Sequence, residues 1–117
     1  MKKIKTKELK DCFRIETFRS VLDHYCSDPA RSIRLTKNLK NEMTWLFGGH
    51  NATSRGEFFH RFWAIEFKER IFYVDCSERG TTVCMVGEPP CDGSDDGRQE
   101  ICIQFLDGLD SKILALP

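Results

Sequence analysis

No stretch of this chain is apolar for long enough to span a bilayer, and its 18 basic and 18 acidic side chains leave no net charge. Short signatures of known chemistry are missing too. There is no G-x-S-x-G elbow, no phosphate-binding glycine loop and no H-E-x-x-H. These absences exclude the commonest hydrolase, nucleotide-binding and metalloprotease patterns, and no cofactor or metal is expected. The N-terminal lysines of MKKIKTKELKD are not followed by the apolar core of a signal peptide, so a cytoplasmic protein is expected. In that compartment the six cysteines stay reduced and behave as small hydrophobes. The sequon Asn51-Ala52-Thr53 then carries no glycan.

What is present is a globular composition, 40% hydrophobic and 31% charged, with nine Phe and two Trp to fill a core. A length of 117 residues fits a single domain over 1–117. The charges are unevenly placed: residues 1–40 carry +6 and residues 41–117 carry −6. Such an asymmetry joins two halves of one fold, or offers a charged face to a partner of opposite sign.

The pattern changes character at Gly48-Gly49, which divides a helical layer (1–48) from an antiparallel sheet (57–117). Ser27-Asp28-Pro29 has the cap and first-turn proline of a helix start. Leu35, Leu39, Met43 and Leu46 follow as one apolar stripe, and the double glycine closes the helix. A preceding helix is read over about residues 6–26, with Phe18, Val21, Leu22 and Tyr25 inward. Beyond Glu57 the runs FFHRFWAIEF, IFYVDC, TTVCMVG, EICIQFL and KILAL are strand-like. The expected fold is therefore α+β: two N-terminal helices packed on one face of an antiparallel β-meander of four to five strands.

Turn chemistry sets the register. A two-residue loop at Lys68-Glu69 pairs Trp63 with Val74, and a three-residue loop ending at Gly80 pairs Val74 with Cys84. One face then collects Phe59, Trp63, Ile65, Phe67, Phe72, Val74, Cys76, Cys84 and Val86, and packs on the helices. The other collects Phe58, His60, Phe62, Ala64, Glu66, Ile71, Tyr73, Asp75, Val83 and Met85. This second face is either an aromatic recognition surface or is covered by another part of the chain.

Several chemistries compete for the remaining residues. The spacings Cys76-x₇-Cys84-x₆-Cys91-x₁₀-Cys102 contain no zinc knuckle. Asp92-Gly93-Ser94-Asp95-Asp96-Gly97 opens like a calcium loop, but the twelfth position is Ile103 where a bidentate Glu is needed. An acidic hairpin loop is the expected reading. Arg31, Arg34, Lys37 and Lys40 on the second helix, with Lys2, Lys3, Lys5 and Lys7 as an arm, would suit nucleic-acid phosphates.

Histidines titrate near neutrality and move protons, so His50 and His60 with Arg61 and Tyr73 form the candidate catalytic set. Two helices before a meander, with RFWAIEFKERIFYVDCSERGTTVCMVG as the paired strands, is similar in element order to the RelE-like ribonuclease toxins. That resemblance implies metal-free RNA cleavage. No catalytic motif of the family matches residue by residue, and the neutral charge and the last thirty residues depart from its pattern.

The leading expectation is a small protein-binding module, a regulator, inhibitor or immunity-type protein. Its partner-binding residues would be Phe58, His60, Phe62, Glu66, Tyr73 and Asp75, with Asp92, Asp95 and Asp96 steering a basic or nucleic-acid-binding protein. The alternative is the ribonuclease or nucleic-acid-binding protein.

Overall fold

The computed structural model describes residues 1–14, 32–86 and 98–117. Most of the first expected helix, the Ser27-Asp28-Pro29 cap, Arg31, Cys91, and the acidic loop with Asp92, Asp95 and Asp96 lie outside the described residues.

The described chain runs β1 (Lys2–Lys3), two 3₁₀ turns (Thr6–Glu8 and Asp11–Phe13), β2 (Ser32–Leu35), α1 (Lys40–Phe47), β3 (Ala52–Arg55), β4 (Phe59–Phe67), β5 (Arg70–Ser77), β6 (Gly80–Met85) and α2 (Arg98–Leu114). The strands form one six-stranded antiparallel sheet in the order β1-β4-β5-β6-β2. β3 also pairs with β4, on Phe59 to Phe62, whereas β1 takes Ile65 and Glu66. Asn51 fills the gap between these two short strands: its side-chain amide donates to the Ile4 carbonyl (2.6 Å) and its Oδ1 accepts from the Ala64 amide (2.9 Å). The sequon asparagine is thus a structural bridge.

The α+β class holds, but the arrangement of two N-terminal helices followed by a meander does not. Among the described residues one short helix precedes the main hairpins, and the longer one follows the sheet. Three local misreadings explain the difference. Residues 6–13, expected as helix, form two 3₁₀ turns whose C-caps, Leu9 and Arg14, are extended. Ile33 and Leu35 alternate with Ser32 and Arg34, and this period-2 signal wins because it pairs with Thr81 to Cys84. The last segment, read as two strands, is helical because Cys102, Phe105 and Leu109 recur at helical spacing and bury together. Gly108 lies inside α2, where an added Cβ would meet Met1 Cε at 2.8 Å. The similarity in element order to the RelE-like toxins falls with the two N-terminal helices.

Register confirms one hairpin and corrects the other. Lys68 and Glu69 form the expected two-residue loop, both in the left-handed region (φ 51° and 62°), and Trp63 pairs with Val74. The next loop is Glu78-Arg79 alone, with Ser77 opposite Gly80 and Val74 opposite Val83. That shift of one residue exchanges faces along β6. Val83 and Met85, not Cys84 and Val86, join Trp63, Ile65, Phe72, Val74 and Cys76 beneath α1 and α2. Gly80 (φ 123°) is required for a different reason from the one expected: the Leu35 carbonyl oxygen would stand 2.1 Å from any Cβ there.

The second face is covered at one end. Ile4, Leu9 and Phe13 of the N-terminal segment bury Phe62, Ala64, Tyr73 and Val86. The Tyr73 hydroxyl donates to the Phe13 carbonyl, which anchors this cover. With helices on one side and the N-terminal segment on the other, β4 is apolar on both faces from Phe62 to Ile65. Burial on both sides accounts for the unbroken FWAI run.

Candidate functional site

At the other end of the second face the sheet carries polar groups. Asp75 sits mid-strand on β5, opposite Phe62 of β4 and Thr82 of β6, and Thr82 in turn faces Arg34 of β2. Arg34, Thr82, Asp75 and Phe62 therefore form one row across four strands. His60 lies two residues before Phe62 on the same face, diagonal to Asp75, which is within reach for a long side chain. Its Nδ1 contacts Asp75 Oδ1 at 2.8 Å and Oδ2 at 3.1 Å. The imidazole is nearly parallel to the Phe62 ring, 6.0 Å away and tilted by 4°.

Asp75 is only 8% exposed, an unusual position for a carboxylate. Burial pushes its pKa above the ordinary value, and the hydrogen bond and charge of His60, then Arg34, oppose that shift. A buried ionisable group held by a specific partner costs stability, and such groups concentrate at functional sites. The pair opens into a cleft of about 270 Å³ lined by Arg34, Glu57, Phe58, Ser77 and Arg79. The Arg79 guanidinium lies 4.6 Å from the centre of the Phe58 ring, a cation–π contact that also covers one wall of the cleft. The cleft thus combines two permanent cations, the carboxyl groups of Glu57 and Asp75, an imidazole with Nε2 not engaged by Asp75, and an aromatic wall.

The structure scatters the other expected residues. His50 packs edge-on against Trp63 (5.9 Å, 86°), whose ring belongs to the helix-bearing face. Its pKa is lowered by desolvation first, then by Arg61 and Lys3. Arg61 likewise leaves the cleft and stacks on Phe59 at 4.8 Å, beside Arg55 at 5.5 Å. The Tyr73 hydroxyl is committed to Phe13. His50, His60, Arg61 and Tyr73 are therefore not one constellation.

Of the partner-binding residues, Phe58, His60 and Asp75 meet at the cleft, while Phe62 and Tyr73 are buried. Glu66 lies towards the far end of β4, in a separate groove of about 220 Å³ with Lys2, Glu8 and Lys10. The basic stripe is also broken up. Arg34 is on a strand, Lys37 pairs with Glu42 (3.7 Å), and Lys40 is the first residue of α1.

Glu57, Ser77 and Arg79 were missed as site residues. One signal existed: the Lys68-Glu69 register already placed His60 diagonal to Asp75. Arg34 is expected to contact phosphates from a helix, and its place beside His60 and Asp75 could not be seen while residues 29–47 read as one helix. Comparison with known protein families, curated proteins and solved structures finds no match to this chain.

Proposed function

We propose that this chain is a small binding module that recognises an acidic protein partner at the His60 cleft. One observation carries the reading: the Asp75-clamped His60 shares its cleft with Arg34 and Arg79, brought from different elements. Arginine and aromatic side chains are the commonest anchors of protein interfaces, and Phe58 under Arg79 supplies both. Glu57 and Asp75 balance the formal charge of Arg34 and Arg79, but Asp75 is engaged by His60. The donors left to a ligand are the guanidinium and imidazole groups, which favour an acidic ligand over the basic partner expected from the sequence.

Binding is favoured over the alternative, RNA cleavage, by the separation of the two histidines. Metal-free RNA cleavage uses one group to take a proton and another to give one, and His50 lies against the opposite face from His60. The reading is tested with a fluorescein-labelled polyglutamate peptide, followed by anisotropy at low and high salt. Saturable binding that is abolished in Arg34→Glu/Arg79→Glu is expected. Equal binding by this variant and the native protein, or none by either, refutes it.

A further inference from the structure

We infer that the His60 cleft takes a phosphate monoester, carried on a phosphorylated side chain of the partner. This rests on the binding reading above and names the group recognised.

Guanidinium groups match phosphate oxygens as planar forks, and two of them, Arg34 and Arg79, border one cleft without an ion pair to Asp75 or Glu57 among the described contacts. Asp75 is occupied by His60 instead. That clamp orients the imidazole and leaves its other nitrogen for a ligand oxygen. Three nitrogen donors of different elements around one small concavity suit a compact dianion. The cleft's volume of about 270 Å³ holds a phosphate together with the atoms that bear it. Phe58 gives those atoms an apolar wall, stiffened by the Arg79 guanidinium over its ring.

The same surroundings disfavour a polyanionic strand. Glu57 lines the rim, Glu78 is exposed in the adjoining turn, and the whole chain has no net charge. Nucleic-acid binding rests on many phosphate contacts at once, and flanking carboxylates repel the neighbouring phosphates of a strand. A single phosphate on a protein segment meets only the cleft. Arginine clusters are the usual readers of such groups.

The test is a titration of ¹⁵N-labelled protein, followed by amide shifts, with one short peptide in three forms bearing serine, phosphoserine or glutamate at its centre. Inorganic phosphate and a 12-nucleotide RNA serve as comparison arms. Saturable shifts at residues 57–60 and 77–81 are expected with the phosphopeptide, at least about tenfold tighter than with the glutamate form. Arg34→Ala and Arg79→Ala should each weaken the phosphopeptide by about tenfold, and both positions are exposed enough to leave the fold intact.

Equal affinity for the phosphoserine and glutamate forms overturns the phosphate inference while leaving the acidic-partner reading in place. Inorganic phosphate binding as tightly as the phosphopeptide overturns the protein-borne source. Tighter binding of the RNA at the same amides, or no shifts with any probe, overturns the proposal outright.

Discussion

Replacing Phe105 and Ile103 separately by alanine distinguishes a C-terminal helix from the strand that the same residues could form. In α2 the two positions diverge: Phe105 is 0% exposed and Ile103 is 47% exposed. Phe105 lies parallel to Phe72 with centroids 4.3 Å apart and meets Phe67 edge-on at 5.7 Å. Truncating a buried Phe costs about 3–5 kcal/mol, and lost aromatic pairing adds about 0.5–1.5 kcal/mol. The Phe105→Ala variant should therefore lose about 4–5 kcal/mol, which lowers Tm by about 15 °C in a domain of this size. Ile103→Ala should cost less than about 1 kcal/mol, because half its side chain is already in water and alanine favours helix. In a strand, residues two apart share a face, so both substitutions would cost alike. Urea unfolding reports the difference through the fluorescence of the fully buried Trp63. Equal losses at the two positions would refute the helical assignment.

Four further outcomes follow from local geometry. Gly80→Ala forces a Cβ to within 2.1 Å of the Leu35 carbonyl and should cost about 3 kcal/mol or more by thermal melting; a Tm unchanged from the native protein would contradict the β2–β6 contact. Lys68→Asn with Glu69→Gly relieves two positive φ angles in a two-residue hairpin loop and should add about 1–2 kcal/mol; a lower urea midpoint would refute that turn. Burial pushes the thiols of Cys76 and Cys102 up to about 11, so a thiol reagent at pH 8 should label neither until the protein is unfolded, as read by mass mapping.

The fourth concerns Asp75, whose folded pKa stands above its unfolded value of 3.8. Folding then favours its protonated form, so its stability cost is absent in acid and grows as pH rises through the folded pKa. Asp75→Asn should match or exceed the native Tm at pH 7, and its advantage should vanish below the unfolded pKa. A loss at pH 7 that disappears in acid would show instead that the carboxylate stabilises the fold.

The sequence by itself determined what depends on near neighbours. Alternation and turn chemistry at Lys68-Glu69 set the β4–β5 hairpin and its register, and with it the diagonal placement of His60 and Asp75. Gly48 ends α1 with a positive φ, as a glycine at that boundary can, and Leu39 and Met43 face the core at helical spacing. Tertiary structure decided the rest, because several segments carry two periodicities at once. Ile33 and Leu35 fit either a helix stripe or a strand face, and only hydrogen bonding to β6 selects the strand. Cys102, Phe105 and Leu109 become a helix because that stripe buries against Phe72 and the sheet. Burial of Tyr73 required Phe13, sixty residues away, to fold over it. The cleft has the same origin: pairing through Thr82 of β6 sets Arg34 in the same row as Asp75, a placement of residues 41 apart that no local pattern encodes.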